Sequence, residues 1–154
     1  MTIQIRQASP ADIEPLISLS RRTIRGSYRS FLGDEAVTAF IDSGAADQYV
    51  ADHVADSTVI VADGALVGYA VCKGPVIDLV MIDLPHHRRG FGTRLLQHCE
   101  DALFAHYDAL TLESFAENHP ANSFYRRHGW ELVDLYRDKA SGVERFAFRK
   151  HSPQ

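Results

Sequence analysis

The sequence predicts a mixed α/β (α+β) domain in three layers, a sheet held between helices, and three observations carry that expectation. Period-two and period-3.6 apolar patterns follow one another in the order β-α-α-β-β-β-α-β-α-β-β, which implies about seven strands in a mixed sheet flanked by about four helices. The 154 residues are 45% hydrophobic and 23% charged, the balance of a soluble globular core, and they read as one domain over residues 1–154. No internal repeat, low-complexity tract or linker-like composition interrupts them.

Each element has its own signal. Ile3 and Ile5 alternate with polar residues in a first strand, residues 2–8. Ser9-Pro10-Ala11-Asp12 then starts a helix: Ser9 caps, Pro10 suits the first helical position, and Asp12 faces the positive end of the dipole. Ile13, Leu16, Ile17, Ser20 and Ile24 carry that helix to about Arg25. Gly26 to Gly33 reads as a break holding Tyr28, Phe31 and Leu32. Helical spacing resumes at Asp34 with Val37, Phe40 and Ile41, and continues past Ser43-Gly44 with Tyr49, Val50, His53 and Val54. Residues 58–62, 65–72 and 75–83 are rich in Val and Ile and read as strands, with Asp63-Gly64 as a hairpin turn. After a loop at 84–89, Phe91, Leu95, Cys99 and Leu103 predict a helix to about Tyr107. A buried strand at 110–115, a short helix at 120–128 stopped by Gly129, and two strands at 130–137 and 143–149 complete the chain.

Charge and composition narrow the partners. Lys and Arg total 16 against 20 Asp and Glu, a net charge of −4, which disfavours a nucleic-acid partner. No run approaches 18 apolar residues, and MTIQIRQASP carries no apolar leader segment, so the expectation is a cytoplasmic protein with no membrane partner. The two cysteines, Cys72 and Cys99, form no CxxC pair and read as reduced, half-buried small hydrophobes. Eight histidines show no metal-ligand spacing, so no metal is expected. In the final hairpin, Trp130, Leu132, Phe146 and Phe148 offer an edge for a homodimer.

Two stretches carry chemistry. In residues 76–96, VIDLVMIDLPHHRRGFGTRLL, an apolar strand runs into a His- and Arg-rich loop, and Gly90-Phe91-Gly92 opens an amphipathic helix. The first turn of a helix leaves about four N–H groups unpartnered at the positive end of its dipole, and glycines let a bulky anion approach them. No Gly-Lys-Ser/Thr follows, so this is not a Walker A loop, and a lone G-x-G late in the chain is a poor dinucleotide fingerprint. In residues 110–130, LTLESFAENHPANSFYRRHGW, Asn118 stands at a strand exit before a short helix bearing Ala121, Phe124 and Tyr125. Glu113 is a carboxylate inside an otherwise apolar strand, and burying it unpaired costs several kcal/mol, so it must be paired, exposed or functional.

Together these stretches resemble the acetyl-CoA-binding core of the GCN5-related N-acetyltransferase (GNAT) superfamily. His87-Arg88-Arg89-Gly90-Phe91-Gly92 matches the family's (Gln/Arg)-x-x-Gly-x-(Gly/Ala), with His87 where Gln or Arg is usual and Pro85 one place later than the common proline. Asn118, Ala121, Phe124, Tyr125, Gly129 and Trp130 meet Asn-x-x-Ala-x-x-(Leu/Phe)-Tyr-x-x-x-Gly-(Phe/Trp) without a gap.

The resemblance implies a GNAT-like fold and an acyltransferase using acetyl-CoA as cosubstrate, acting on a primary amine of a small molecule or peptide. It implies that main chain at Val80, Met81 and Ile82 pairs with the pantetheine, that the amides from Arg88, Arg89, Gly90, Phe91, Gly92 and Thr93 hold the diphosphate, and that His87 and Asn118 touch the coenzyme. Tyr125 would protonate the leaving thiolate, since a phenol with a pKa of about 10 keeps its proton at neutral pH. An alkyl ammonium with a pKa of about 10.4 must lose a proton before it attacks, and Glu113, five residues before Asn118, is the candidate base, with Asp78 in reserve. Gly26 to Glu35 would wall the acceptor pocket, making Tyr28, Arg29 and Phe31 candidate substrate contacts. The competing reading is a non-catalytic acyl-CoA sensor or interaction module. Transfer is expected to be direct, because neither cysteine lies in either motif to serve as nucleophile.

Overall fold

The computed structural model describes residues 1–153. Seven strands form one sheet: β1 (Ile3–Gln7), β2 (Ser57–Ala62), β3 (Ala65–Lys73), β4 (Val76–Ile82), β5 (Ala109–Phe115), β6 (Glu131–Arg137) and β7 (Glu144–His151). Their order is β1-β2-β3-β4-β5-β7-β6, antiparallel throughout except where β5 runs parallel to β4. The helices are α1 (Ile13–Thr23), α2 (Arg29–Leu32), α3 (Asp34–Asp42), α4 (Ala45–His53), α5 (Phe91–Phe104) and α6 (His119–Arg127). None is long and apolar enough to cross a membrane, among the described residues.

Side-chain alternation along the strands splits the core in two. One cluster packs Leu16, Leu19, Val37, Val50, Tyr69 and Met81 under α1 to α4. The other packs Leu95, Leu96, Leu110, Leu112, Tyr125 and Phe148 under α5 and α6. Leu132, Val133, Leu135 and Tyr136 of the edge strand β6 are exposed. Trp130 and Phe148 correct the edge expected for a homodimer: they are core residues, 3% and 0% exposed, Phe148 because β7 lies between β5 and the edge strand β6, and Trp130 because, just before β6, it packs on Tyr125 and hydrogen-bonds to Glu100.

Gly26 to Gly33 is also corrected, from break to helix. α1 passes through one wide π-turn, Ile24–Tyr28, directly into α2, and the chain breaks only at Gly33, with φ +87°. Gly26 stays helical and is needed for proximity, since a Cβ there would stand 2.2 Å from a Leu84 methyl. The wide turn changes the helix phase and presents Tyr28 to the sheet; such turns recur at functional sites.

A buried charge ties the far side together. Glu100 of α5, 5% exposed, accepts hydrogen bonds from the Trp130 indole at 3.0 Å and from the Lys150 ammonium at 2.6 Å. Lys150 also donates to the His128 carbonyl at 2.8 Å, so each charge is both neutralised and hydrogen-bonded, the condition under which buried ions are tolerated.

Candidate active site

The sheet is built to open. β4 and β5 meet only where Val76 faces Thr111, and beyond that pair they part. The cause lies in β4, where Cys72 of β3 faces Ile77 and Val71 faces Leu79, leaving Asp78 as an extra residue with no partner. A bulge of this kind bends and twists its strand. Gly68 of β3 then holds β4 close, since a Cβ there would lie 2.7 Å from the Met81 carbonyl oxygen. The result is a cleft of about 650 Å³ between the diverging strands.

Beyond the part of β4 that lines the cleft, the chain turns from β4 into α5. Leu84-Pro85-His86 forms a single tight turn, and the His87 N–H bonds to the Leu84 carbonyl at 3.2 Å. The next amide to reach a main-chain carbonyl is that of Arg94, bonded to Gly90 at 3.2 Å. Arg88, Arg89, Gly90, Phe91, Gly92 and Thr93 therefore present six successive N–H groups with no carbonyl partner among the described residues. Arg88 with φ +63° and Gly90 with φ +83° adopt left-handed conformations on either side of Arg89, the alternation that curls successive amides into an anion-binding concavity. Phe91 is buried and anchors the helix start.

Side chains hold this turn in place. His87 donates a ring N–H to the Ile82 carbonyl at 2.6 Å, so its imidazole closes the loop onto β4. Asp83, 6% exposed, receives both arms of Arg22 at 3.2 and 2.8 Å, linking α1 to the end of β4. Thr93 Oγ1 lies 3.1 Å from His128 Nε2, joining the turn to α6. The guanidinium of Arg89 sits 5.8 Å over the Phe91 ring, and Arg88 is exposed.

Val80 and Met81 from β4 and Asn118, Ala121 and Tyr125 from the α6 side line the cleft. Asn118 caps α6, its side-chain oxygen accepting from the Ala121 N–H at 3.5 Å. Asn122 donates to the carbonyls of Phe115 at 3.2 Å and Ala116 at 3.0 Å, pinning the end of β5 beneath the helix. Tyr125 is 8% exposed and packs its ring against Phe124, Trp130 and Phe148. Burial pushes its phenol well above the usual tyrosine range, so it keeps its proton at every physiological pH.

The other half of the cleft is aromatic and acidic. Tyr28, Phe31 and Phe115 form a triangle of rings with centroids 5.4, 5.7 and 5.4 Å apart. Tyr28 lines the cleft and Phe31 packs behind it. Asp78 accepts a hydrogen bond from Tyr49, and Glu113 accepts one from Tyr136 across the sheet. Both carboxylates line the cleft. Arg145 also lines it, its guanidinium 4.5 Å over the Phe115 ring and its Nε donating to Asp138 at 3.3 Å.

Of the residues picked out in the sequence, Val80, Met81, Asn118, Tyr125, Tyr28, Asp78 and Glu113 meet in this one cleft. Arg29 does not: it pairs with Asp34 at 2.8 Å on the surface. Tyr49 and Arg145 line the site without having been anticipated. Nothing local marks them, because α4 and the start of β7 reach the cleft only through the tertiary fold.

Solved structures share this architecture. PaiA N-acetyltransferase from Thermoplasma acidophilum, in complex with coenzyme A, superposes with a TM-score of 0.83 at 19% identity, covering 99% of this chain and 100% of that one. A GCN5-related N-acetyltransferase from Rhodopseudomonas palustris gives 0.84 at 18% identity, covering 99% and 97%. The ribosomal-protein-S18-alanine N-acetyltransferase from Escherichia coli gives 0.70 at 16% identity, covering 96% and 92%. No curated protein matches the sequence. The model of the acetyltransferase (GNAT) family matches residues 22–130, which include the π-turn, the bulged strand, the row of free amides and Tyr125. With that match across most of the chain and the same fold in solved members, this protein belongs to the acetyltransferase (GNAT) family.

Proposed function

We propose that this protein is an acetyl-CoA-dependent N-acetyltransferase that passes the acetyl group directly to a primary amine of a small molecule or peptide, within a ternary complex. One observation carries the reading: β4, whose residues line a cleft together with two carboxylates and a protonated phenol, runs on into a turn of six unpartnered amides. The amides of Arg88 to Thr93 fit a diphosphate, whose charge the α5 dipole also favours. Main chain at Val80, Met81 and Ile82, turned away from β5 by the bulge, is free to bind an extended pantetheine as an added strand. Acetyl-CoA supplies the activated acyl group. A main-chain N–H on the same stretch of β4 steadies the negative charge that develops on its carbonyl oxygen.

This chain's residues manage the protons. Glu113, directly or through a water, takes the proton of the incoming ammonium, while Asp78 attracts that cation and is held in place by Tyr49. Tyr125 donates its proton to the departing sulfur; its burial keeps that proton in place until a thiolate is there to receive it. The aromatic walls, Tyr28 and Phe115 among them, exclude water and favour an acceptor with an apolar body.

Initial rates measured across a matrix of acetyl-CoA and amine concentrations test this reading. Direct transfer gives intersecting double-reciprocal lines, with one free coenzyme A released per amide formed. Parallel lines, or thiol release without acetylated amine, contradict it.

A further inference from the structure

Among the described residues lining the cleft, Arg145 of β7 is the one cation, and it takes no part in the proton transfers proposed above. Its neighbours hold it still: the guanidinium lies 4.5 Å over the Phe115 ring, and its Nε donates to Asp138 at 3.3 Å. Asp138 stands outside the cleft lining and also accepts from the amides of Ala140 and Ser141 at 2.8 and 3.3 Å. Both Nη groups of Arg145 lack an acceptor among the described residues. The cleft carboxylates do not supply one, since Asp78 accepts from Tyr49 and Glu113 from Tyr136. The cleft thus keeps its cation apart from its anions. The separation is short, because β7 places Arg145 opposite Phe115, two residues from Glu113 along β5. Glu113 and Arg145 are therefore diagonal neighbours on one face of the sheet, with main chains about 7–8 Å apart.

We infer that the acceptor is a free α-amino acid with a large apolar side chain, its carboxylate received by Arg145 and its ammonium by Glu113 and Asp78; the inference rests on the acetyl-transfer reading above. An α-amino acid carries both charges on one carbon, a spacing that a diagonal pair of side chains can bridge. The two Nη groups match the two oxygens of a carboxylate. An arginine already fixed by a ring and a neighbouring carboxylate also loses little freedom when it binds. The acceptor's side chain falls to the apolar wall between the end of α1 and α3, where Ile24, Tyr28, Leu32, Ala36 and Phe40 line the same cleft. Other amines fit less well. A polyamine would bring a second cation toward Arg145, and like charges repel. A peptide N-terminus has no carboxylate on its α-carbon to offer. In the transfer, the α-nitrogen bonds to the acetyl carbon as the C–S bond of acetyl-CoA breaks. The products are the N-acetyl amino acid and the thiol of coenzyme A, and of the two protons the ammonium gives up, one ends on that thiol and one in solvent.

Steady-state kcat/KM for L-phenylalanine, L-phenylalaninamide and 2-phenylethylamine, with the acetylated product identified by mass, tests the assignment. The three share an aromatic body and a primary amine, and only the first carries a carboxylate. The full chain prefers phenylalanine to the other two. Arg145→Gln costs phenylalanine about 30-fold more than it costs the amide, the worth of charge-assisted hydrogen bonds to one carboxylate. Taking the loss as a ratio of two substrates cancels differences in amine basicity and any general loss of folded enzyme. Arg145→Lys, which keeps the charge without the two-pronged donor, recovers part of the phenylalanine rate. The wild-type preference is read without either variant, should both fold poorly. A wild type that favours the amide, equal losses for acid and amide in Arg145→Gln, or no acetylated phenylalanine would each overturn the carboxylate subsite. Acetylated amide or phenylethylamine would then leave the transferase itself standing, which falls only if no amine of any class is acetylated.

Discussion

Tyr125→Phe lowers kcat by about 100-fold or more, the usual contribution of a positioned proton donor, while the Kd for coenzyme A stays within about twofold of wild type. The phenol is 8% exposed and its ring contacts are with Phe124, Trp130 and Phe148, all of which phenylalanine retains. Only the hydroxyl facing the cleft is lost. Because burial has raised the phenol so far, the variant changes no charge in the pH range of the assay, and the loss is the same across that range. Calorimetric titration with coenzyme A beside steady-state rates separates the two effects. An unchanged kcat would mean that the departing sulfur takes its proton elsewhere, as a non-catalytic sensor would also allow.

Gly90→Val raises the Kd for coenzyme A about 100-fold. Gly90 sits at φ +83°, a conformation in which a β-branched residue is a true outlier, so valine forces the chain back to negative φ. Nothing crowds a Cβ at this position, so the penalty is conformational and not steric. The alternation of Arg88 and Gly90 is what turns the intervening amides inward, and undoing it removes at least two hydrogen bonds to a charged group at about 1.5 kcal/mol each, or about 100-fold in affinity. The fold itself loses only about 1–2 kcal/mol from the strained turn, so the variant still unfolds cooperatively. Isothermal titration and a melting curve on the same sample test both halves, and a Kd unchanged from wild type refutes the role of the turn.

Much of this was legible in the sequence, and the reasons differ by element. The strands β2, β3 and β4 declare themselves because each is rich in Val and Ile and bounded by turn residues, while β5, β6 and β7 show instead through Leu and aromatic residues between turns. The row of free amides declares itself because glycine at a helix start has one common use. Gly26 misleads, since a glycine needed for close packing against Leu84 has the same letter as one that breaks a helix; only Gly33, at positive φ, does the latter. The bulge at Asp78 is silent because Ile77 and Leu79 flank it with apolar side chains, and the phase slip between them leaves no gap in the hydrophobic run. Phe148 reads as a hairpin edge residue because sequence order places β7 last, whereas the sheet places it inside; Trp130 is drawn into the core by Glu100 and Tyr125, which lie far from it in sequence or on another element. The places of Tyr49 and Arg145 in the cleft depend on contacts between distant segments that no local pattern encodes.

A crystal structure of the protein with coenzyme A bound is the most direct measurement. The geometry predicts the diphosphate on the amides from Arg88 to Thr93, the pantetheine alongside Val80 to Ile82 in the gap between β4 and β5, and the sulfur within hydrogen-bonding reach of the Tyr125 hydroxyl. Coenzyme bound elsewhere, or a sulfur lying far from that hydroxyl, would contradict it.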